Sequence, residues 1–189
     1  ALLEDDEHSG THVVVIKRKL TYLGMVWKLT WRDEGDSKDG GGSGVSPEIK
    51  AITDKACTYL AGCLTQGADI KLKAADILKN LAGSSRETKY VLLSPAHGLL
   101  VAVVDILRDE ATAYDLQCKL LSLLWDTTCT SDEENGKFFG SALASLMGVS
   151  TQLLKKDDAE ITRLTIGFIR NIVNSIDLRP IVSSYSPFM

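Results

Sequence analysis

Three histidines, four cysteines and a recurring column of polar residues are the groups in this chain that could do chemistry. His8 and His12 lie near the N-terminus and His97 stands alone, and no motif places an aspartate or a nucleophile beside any of them. A phosphate-cradling glycine loop, a GxGxxG turn and an HExxH helix are all missing, so nucleophilic, metal and nucleotide chemistry find no constellation. Cys57, Cys63, Cys118 and Cys129 form no CxxC pair and have no histidine at zinc spacing; they read as reduced, buried thiols of an intracellular protein. No catalytic residue, metal site or cofactor is therefore expected. What remains is non-covalent chemistry, and it sits in a column. Lys28, Asn80, Asp126 and Asn171 recur at spacings of 52, 46 and 45 residues, each preceded by Trp27, Lys79, Trp125 or Arg170.

Composition limits what such a column can serve. Of 189 residues, 44% are hydrophobic and 24% charged, with a net charge of -4, which is too apolar and too weakly charged for wholesale disorder. That balance gives no general pull toward phosphate backbones, so nucleic acid is disfavoured. Lys17-Arg18-Lys19 is the one basic run and reads as a solvated helix face, with an acidic partner or phosphate contact as the sharper alternative. The longest apolar run, Leu99 to Val104, falls far short of the roughly 20 residues that cross a bilayer, so no membrane insertion is expected. Ala1-Leu2-Leu3 passes at once into the acidic run Glu4 to Glu7, so no secretory signal is visible and an intracellular, cytoplasmic location is expected, with the nucleus also open.

Helices must position the column. Ile16, Leu20, Leu23, Trp27 and Trp31 keep three- and four-residue steps, and similar patterns predict helices over about 12–31, 47–65, 69–82, 95–108, 112–128, 132–139, 140–155 and 159–175. Ser46-Pro47 and Ser94-Pro95 read as N-caps followed by a first-turn proline, and Ser131 to Glu134 as a capping box. Each long helix follows a shorter one across a polar hinge, as at Leu64 to Asp69, Leu107 to Thr112 and Leu154 to Ala159. The string Gly40-Gly41-Gly42-Ser43-Gly44 has no packing capacity; such strings occur in natural loops and also look like engineered linkers.

A helical period of about 40 to 47 is the signature of stacked solenoid repeats. Ile77-Leu78-Lys79-Asn80-Leu81 and Phe168-Ile169-Arg170-Asn171-Ile172 resemble the third helix of armadillo repeats, and Leu124-Trp125-Asp126 and Val26-Trp27-Lys28-Leu29 resemble the Leu-Trp-Asn-Leu variant of the β-catenin and adenomatous polyposis coli kind. The resemblance implies an all-α, right-handed α-solenoid of about three to four armadillo-like repeats. It divides the chain into a partial first repeat over 1–38, the Gly/Ser-rich segment over 39–46 and armadillo-like repeats over 47–189, the last incomplete. A chain that starts and stops within units is expected to be a piece of a longer array.

The resemblance also implies a function. Armadillo asparagines hold the backbone amides of an extended peptide, because a carboxamide both donates and accepts; Asn80 and Asn171 match, whereas Lys28 and Asp126 depart and point to a charge-selective or helical ligand. Counting back from the column, positions two and three are apolar core, while position four is small or polar (Gly24, Asp76, Ser122, Gly167), so the stripe should line the concave surface. The candidate partner-binding set is Trp27, Lys28, Asp76, Lys79, Asn80, Ser122, Trp125, Asp126, Arg163, Arg170 and Asn171. The expected function is a non-enzymatic interaction scaffold for a protein or peptide ligand, with no small-molecule substrate. The alternative is an interdomain regulatory or self-association domain whose convex helices make the contacts.

Overall fold

The computed structural model describes residues 14–16, 18, 19, 21, 47–83, 86–129, 139 and 142–174. Trp27, Lys28, the glycine string, the capping box at Ser131 and the incomplete last unit lie outside the described residues. Every regular element among the described residues is helical. They run α1 (Pro47–Cys63), α2 (Ala68–Ala82), α3 (Arg86–Leu93), a 3₁₀ turn (Pro95–His97), α4 (Leu99–Arg108), α5 (Tyr114–Thr128), α6 (Leu143–Leu153) and α7 (Ala159–Asn174). None is long and apolar enough to cross a membrane.

Three hairpins repeat, α1 with α2, α4 with α5 and α6 with α7, each turning at a polar hinge where the sequence predicts one. The hinges differ in how they satisfy the free backbone groups of a helix end. Before α2, the Gly67 carbonyl accepts the N–H groups of Ile70 and Lys71 at 3.0 Å, with no side-chain cap. Before α5, the Asp109 carboxylate accepts the Ala111 N–H at 3.0 Å and the Thr112 hydroxyl donates to the Ile106 carbonyl at 2.7 Å. Before α7, the Asp158 carboxylate accepts the Ile161 N–H at 2.8 Å, as an N-cap aspartate does. Lys156 in that last hinge also donates to Gln117 of α5 at 3.1 Å, tying one hairpin to the next.

The units join chiefly through their second helices, with α2 packed on α5 and α5 on α7. Ala74, Leu78 and Leu81 of α2, Leu120, Leu121 and Leu124 of α5, and Leu164 and Phe168 of α7 are all buried in one continuous core. Burying each leucine contributes about 2 kcal/mol, so these residues, Leu78, Leu124 and Phe168 of the apolar columns among them, hold the stack together.

Two predicted features are corrected. The helix expected over 95–108 is broken: Pro95–His97 forms a 3₁₀ turn, Gly98 adopts φ +63°, and α4 starts only at Leu99. Ser94 makes no side-chain cap bond there, although Pro95 does occupy the first turn. Gly98 permits the left-handed conformation that lets the chain turn between the two. His97, one residue before it, fastens the turn to α1. His97 Nδ1 lies 2.8 Å from Thr58 Oγ1 and its Nε2 lies 3.3 Å from Asp54 Oδ1, both residues of α1.

The second correction is α3, which the sequence reading lacks. It contributes Thr88, Leu92 and Leu93 to the interior. Its β-branched and aromatic residues, Thr88, Tyr90 and Val91, carry low helix propensity, and its three apolar residues are consecutive rather than spaced. Packing against α1 and α2 overrides that preference. All four cysteines are free, but only Cys57 and Cys63 are buried; Cys118 is half-buried and Cys129 exposed. Burial, with a smaller contribution from Asp54, pushes the Cys57 thiol up to about 12, which makes it an inert packing group.

Candidate functional site

Because α2, α5 and α7 stack in the same orientation, residues one repeat apart fall on a shared face. Ile77, Leu78, Leu123, Leu124 and Phe168 point into the core, and Ile169 packs against it. The opposite columns are open except at Gly167, which is buried against the Trp125 ring. Lys79, Asn80 and Arg170 are exposed, while Asp76, Ser122, Trp125, Asp126 and Asn171 are half-buried. The structure thus brings nine of the eleven candidate residues, including exposed Arg163, onto these three helices; Trp27 and Lys28 lie outside the described residues.

At the α2–α5 junction the contacts are ionic. Lys119 of α5 pairs with Asp76 of α2, both partly solvent-accessible. Lys73, at the equivalent place on α2, donates at 2.5 Å to Oγ1 of Thr21, one of the helical residues 14–16, 18, 19 and 21 that precede α1. Burial pushes the Asp126 carboxyl above the usual carboxylate range, while Lys79 of α2 and Lys89 of α3 pull it down. The position that sequence reading treated as half of a peptide clamp is therefore a half-buried carboxylate whose charge is disfavoured by burial and favoured by Lys79 and Lys89.

At the α5–α7 junction the contacts depend on shape. The Trp125 ring lies on Gly167, where an added Cβ would stand 2.6 Å from Cε3 and 2.7 Å from Cδ2 and Cζ3. One turn earlier on α7, the Arg163 guanidinium sits 5.2 Å from the Trp125 ring centroid, within cation–π range. Arg163 is itself aimed by Glu160, with bonds of 2.8 Å from Nε and 2.6 Å from Nη2. This bidentate hydrogen bond holds the Glu160 carboxyl below its ordinary value. Asn171 directs its amide nitrogen toward Thr128 Oγ1 at 3.3 Å and the Trp125 carbonyl at 3.5 Å. Its donor side is thus engaged with α5 through two long contacts. Asn80 has no hydrogen-bond partner among the described residues.

The arrangement offers cations, carboxamides and one indole on a pre-formed surface. Away from these helices the structure corrects one expectation, since His97 has a hydroxyl, Thr58 Oγ1, at 2.8 Å and a carboxylate, Asp54 Oδ1, at 3.3 Å beside it. Sequence reasoning missed Lys89, which lies in the unpredicted α3. It also saw Gly167 only as a small residue, although the pairing of a glycine with a tryptophan 42 residues earlier was present in the repeat alignment.

Neither a protein-family profile nor a curated protein sequence matches the chain. Among solved structures, a designed armadillo repeat protein in complex with the peptide (KR)4 superposes with a TM-score of 0.58 at 18% identity. The fold is armadillo-like. The match covers 86% of this chain, which spans 61% of the length of the designed protein. The recurrent polar columns lie on the second helix of each hairpin; the expectation that this helix is the longer one fails in the first hairpin, where α1 has 17 residues and α2 has 15.

Proposed function

We propose that the chain is a non-enzymatic, intracellular scaffold, a right-handed superhelix of three to four armadillo-like units that binds a partner's peptide or helix on the concave face formed by α2, α5 and α7. The observation that carries this reading is the alignment of Asn80, Asp126 and Asn171 on one face, flanked by exposed Lys79 and Arg170 and half-buried Trp125. The peptide bound to the designed armadillo neighbour supports the same use of the fold. Core packing fixes the helices, and Gly167 and Arg163 fix the indole, so the scaffold loses little conformational freedom when a ligand docks. Cytoplasm is the proposed location, with the nucleus as a second compartment.

A displayed library of random peptides tests this. Binders selected on the wild-type chain should be lost on an N80A/D126A/N171A variant whose circular dichroism matches wild type. Binders kept by that variant would contradict the groove and favour the second reading, an interdomain regulatory or self-association domain in which the first, convex helix of each hairpin makes the contacts. Exposed Ile52 on α1 and Val101 on α4 support that alternative.

A further inference from the structure

The charges on the face of the second helices do not balance. Among the described residues, Lys119 is paired with Asp76 and Arg163 with Glu160, whereas Lys73 meets only the Thr21 hydroxyl. Lys79, Lys89 and Arg170 have no carboxylate within ion-pair distance among the described residues. Asp126 is the remaining acid near them, and it feels both Lys79 and Lys89. Lys73, Lys79, Lys89 and Arg170 are thus four cations without a carboxylate in ion-pair contact among the described residues. The acidic excess of the sequence falls outside the described residues, as at Glu4 to Glu7 and Asp132 to Glu134; among the described residues, Asp105, Asp109 and Glu110 cluster at the end of α4 and its hinge.

Position decides what this asymmetry does. Lys79 and Arg170 occupy the place one before the polar column, where α5 carries Trp125. Trp125 already holds a guanidinium from its own chain, that of Arg163. A cationic ligand would meet like charge at both ends and a filled aromatic site in the middle, and juxtaposing like charges is costly. An anionic ligand would meet Lys79 and Lys89 near α2 and Arg170 near α7, with Asn80 and the free carboxamide oxygen of Asn171 available for its backbone.

We infer that the face formed by α2, α3, α5 and α7 selects an extended acidic peptide, with Lys79 and Arg170 as the specificity-determining residues. This rests on the groove reading above and gives it a ligand class opposite in charge to the (KR)4 peptide held by the designed neighbour. Selectivity arises from the unneutralised cations, so it weakens as salt screens them.

Three fluorescent octapeptides test the inference by anisotropy: alternating glutamate and aspartate, (KR)4, and an uncharged serine–asparagine sequence. The acidic peptide should bind most tightly to the whole chain and lose affinity between about 0.05 and 0.5 M salt. K79E/R170E should weaken it by about tenfold or more, and K79R/R170K should restore it. Arg108→Glu on α4 should leave it unchanged. Preference for (KR)4 or the uncharged peptide, no binding of the acidic peptide, or equal sensitivity to Arg108→Glu would overturn the inference. The groove reading fails separately, when library binders persist on the triple alanine variant; binders lost there while the acidic peptide fails would sink only the charge preference.

Discussion

The two junctions between the second helices solve one packing problem in two ways. Between α2 and α5 the polar side is joined by charge, with Lys119 on Asp76. Between α5 and α7 it is secured by shape, with the Trp125 ring on Gly167, Arg163 over the ring and Asn171 reaching back to α5. Charged contacts at partly exposed positions tolerate small shifts and contribute little. A ring against a glycine tolerates none, because the Cβ of any other residue would overlap it. The second junction should therefore be the rigid one, and the first the adjustable, charge-reading one.

Gly167→Ala gives the largest expected break in that contrast. Alanine gains about 1 kcal/mol of helix propensity, yet the overlap with Trp125 should dominate and leave a net loss of about 2 kcal/mol in urea-unfolding stability. In a Trp125→Ala background the same change should become neutral or stabilising; additive losses would show that the ring does not depend on the glycine. Ser122→Ala, the matching position on α5, serves as the control and should stay within about 0.5 kcal/mol. Asn171→Ala should cost under about 1 kcal/mol, since its two bonds are long and half-exposed. A larger loss would make it part of the core rather than of the binding face.

At the ionic junction, Lys119→Met should cost no more than about 0.5 kcal/mol, and the difference from wild type should vanish in high salt. Asp126→Asn should act with a defined pH sign. Burial raises the folded carboxyl above its unfolded value, so ionisation penalises the fold at neutral pH, and wild type recovers stability as pH falls through the raised value. The variant's advantage over wild type should thus be greatest near neutrality and shrink toward about pH 4. An advantage that grows on acidification would mean that Lys79 and Lys89 outweigh the burial.

The sequence carried the hairpins more clearly than the contacts that join them. Apolar spacing marks α2, α5 and α7 to within about two residues, because a half-buried long helix must repeat its core face. It could not reveal α3, whose helicity comes from packing rather than propensity, nor the break at Gly98, where one backbone conformation divides a run that otherwise reads as continuous helix. In the site, the repeat alignment placed Lys79, Trp125, Asp126 and Arg170 in register. It gave no sign that Asn171 turns its donor inward, that Lys89 joins Asp126, or that Arg163 covers the indole, since these follow from the distance between helices and not from position along one.

The central claim is that partners dock on the face of α2, α5 and α7. Amide and indole chemical-shift mapping with a library-selected peptide tests it most directly. The account predicts shifts at Lys79, Asn80, Trp125, Asp126, Arg170 and Asn171, with the Trp125 indole N–H among the largest. Shifts gathered instead around Ile52 of α1 and Val101 of α4, with the Trp125 indole unmoved, would contradict it.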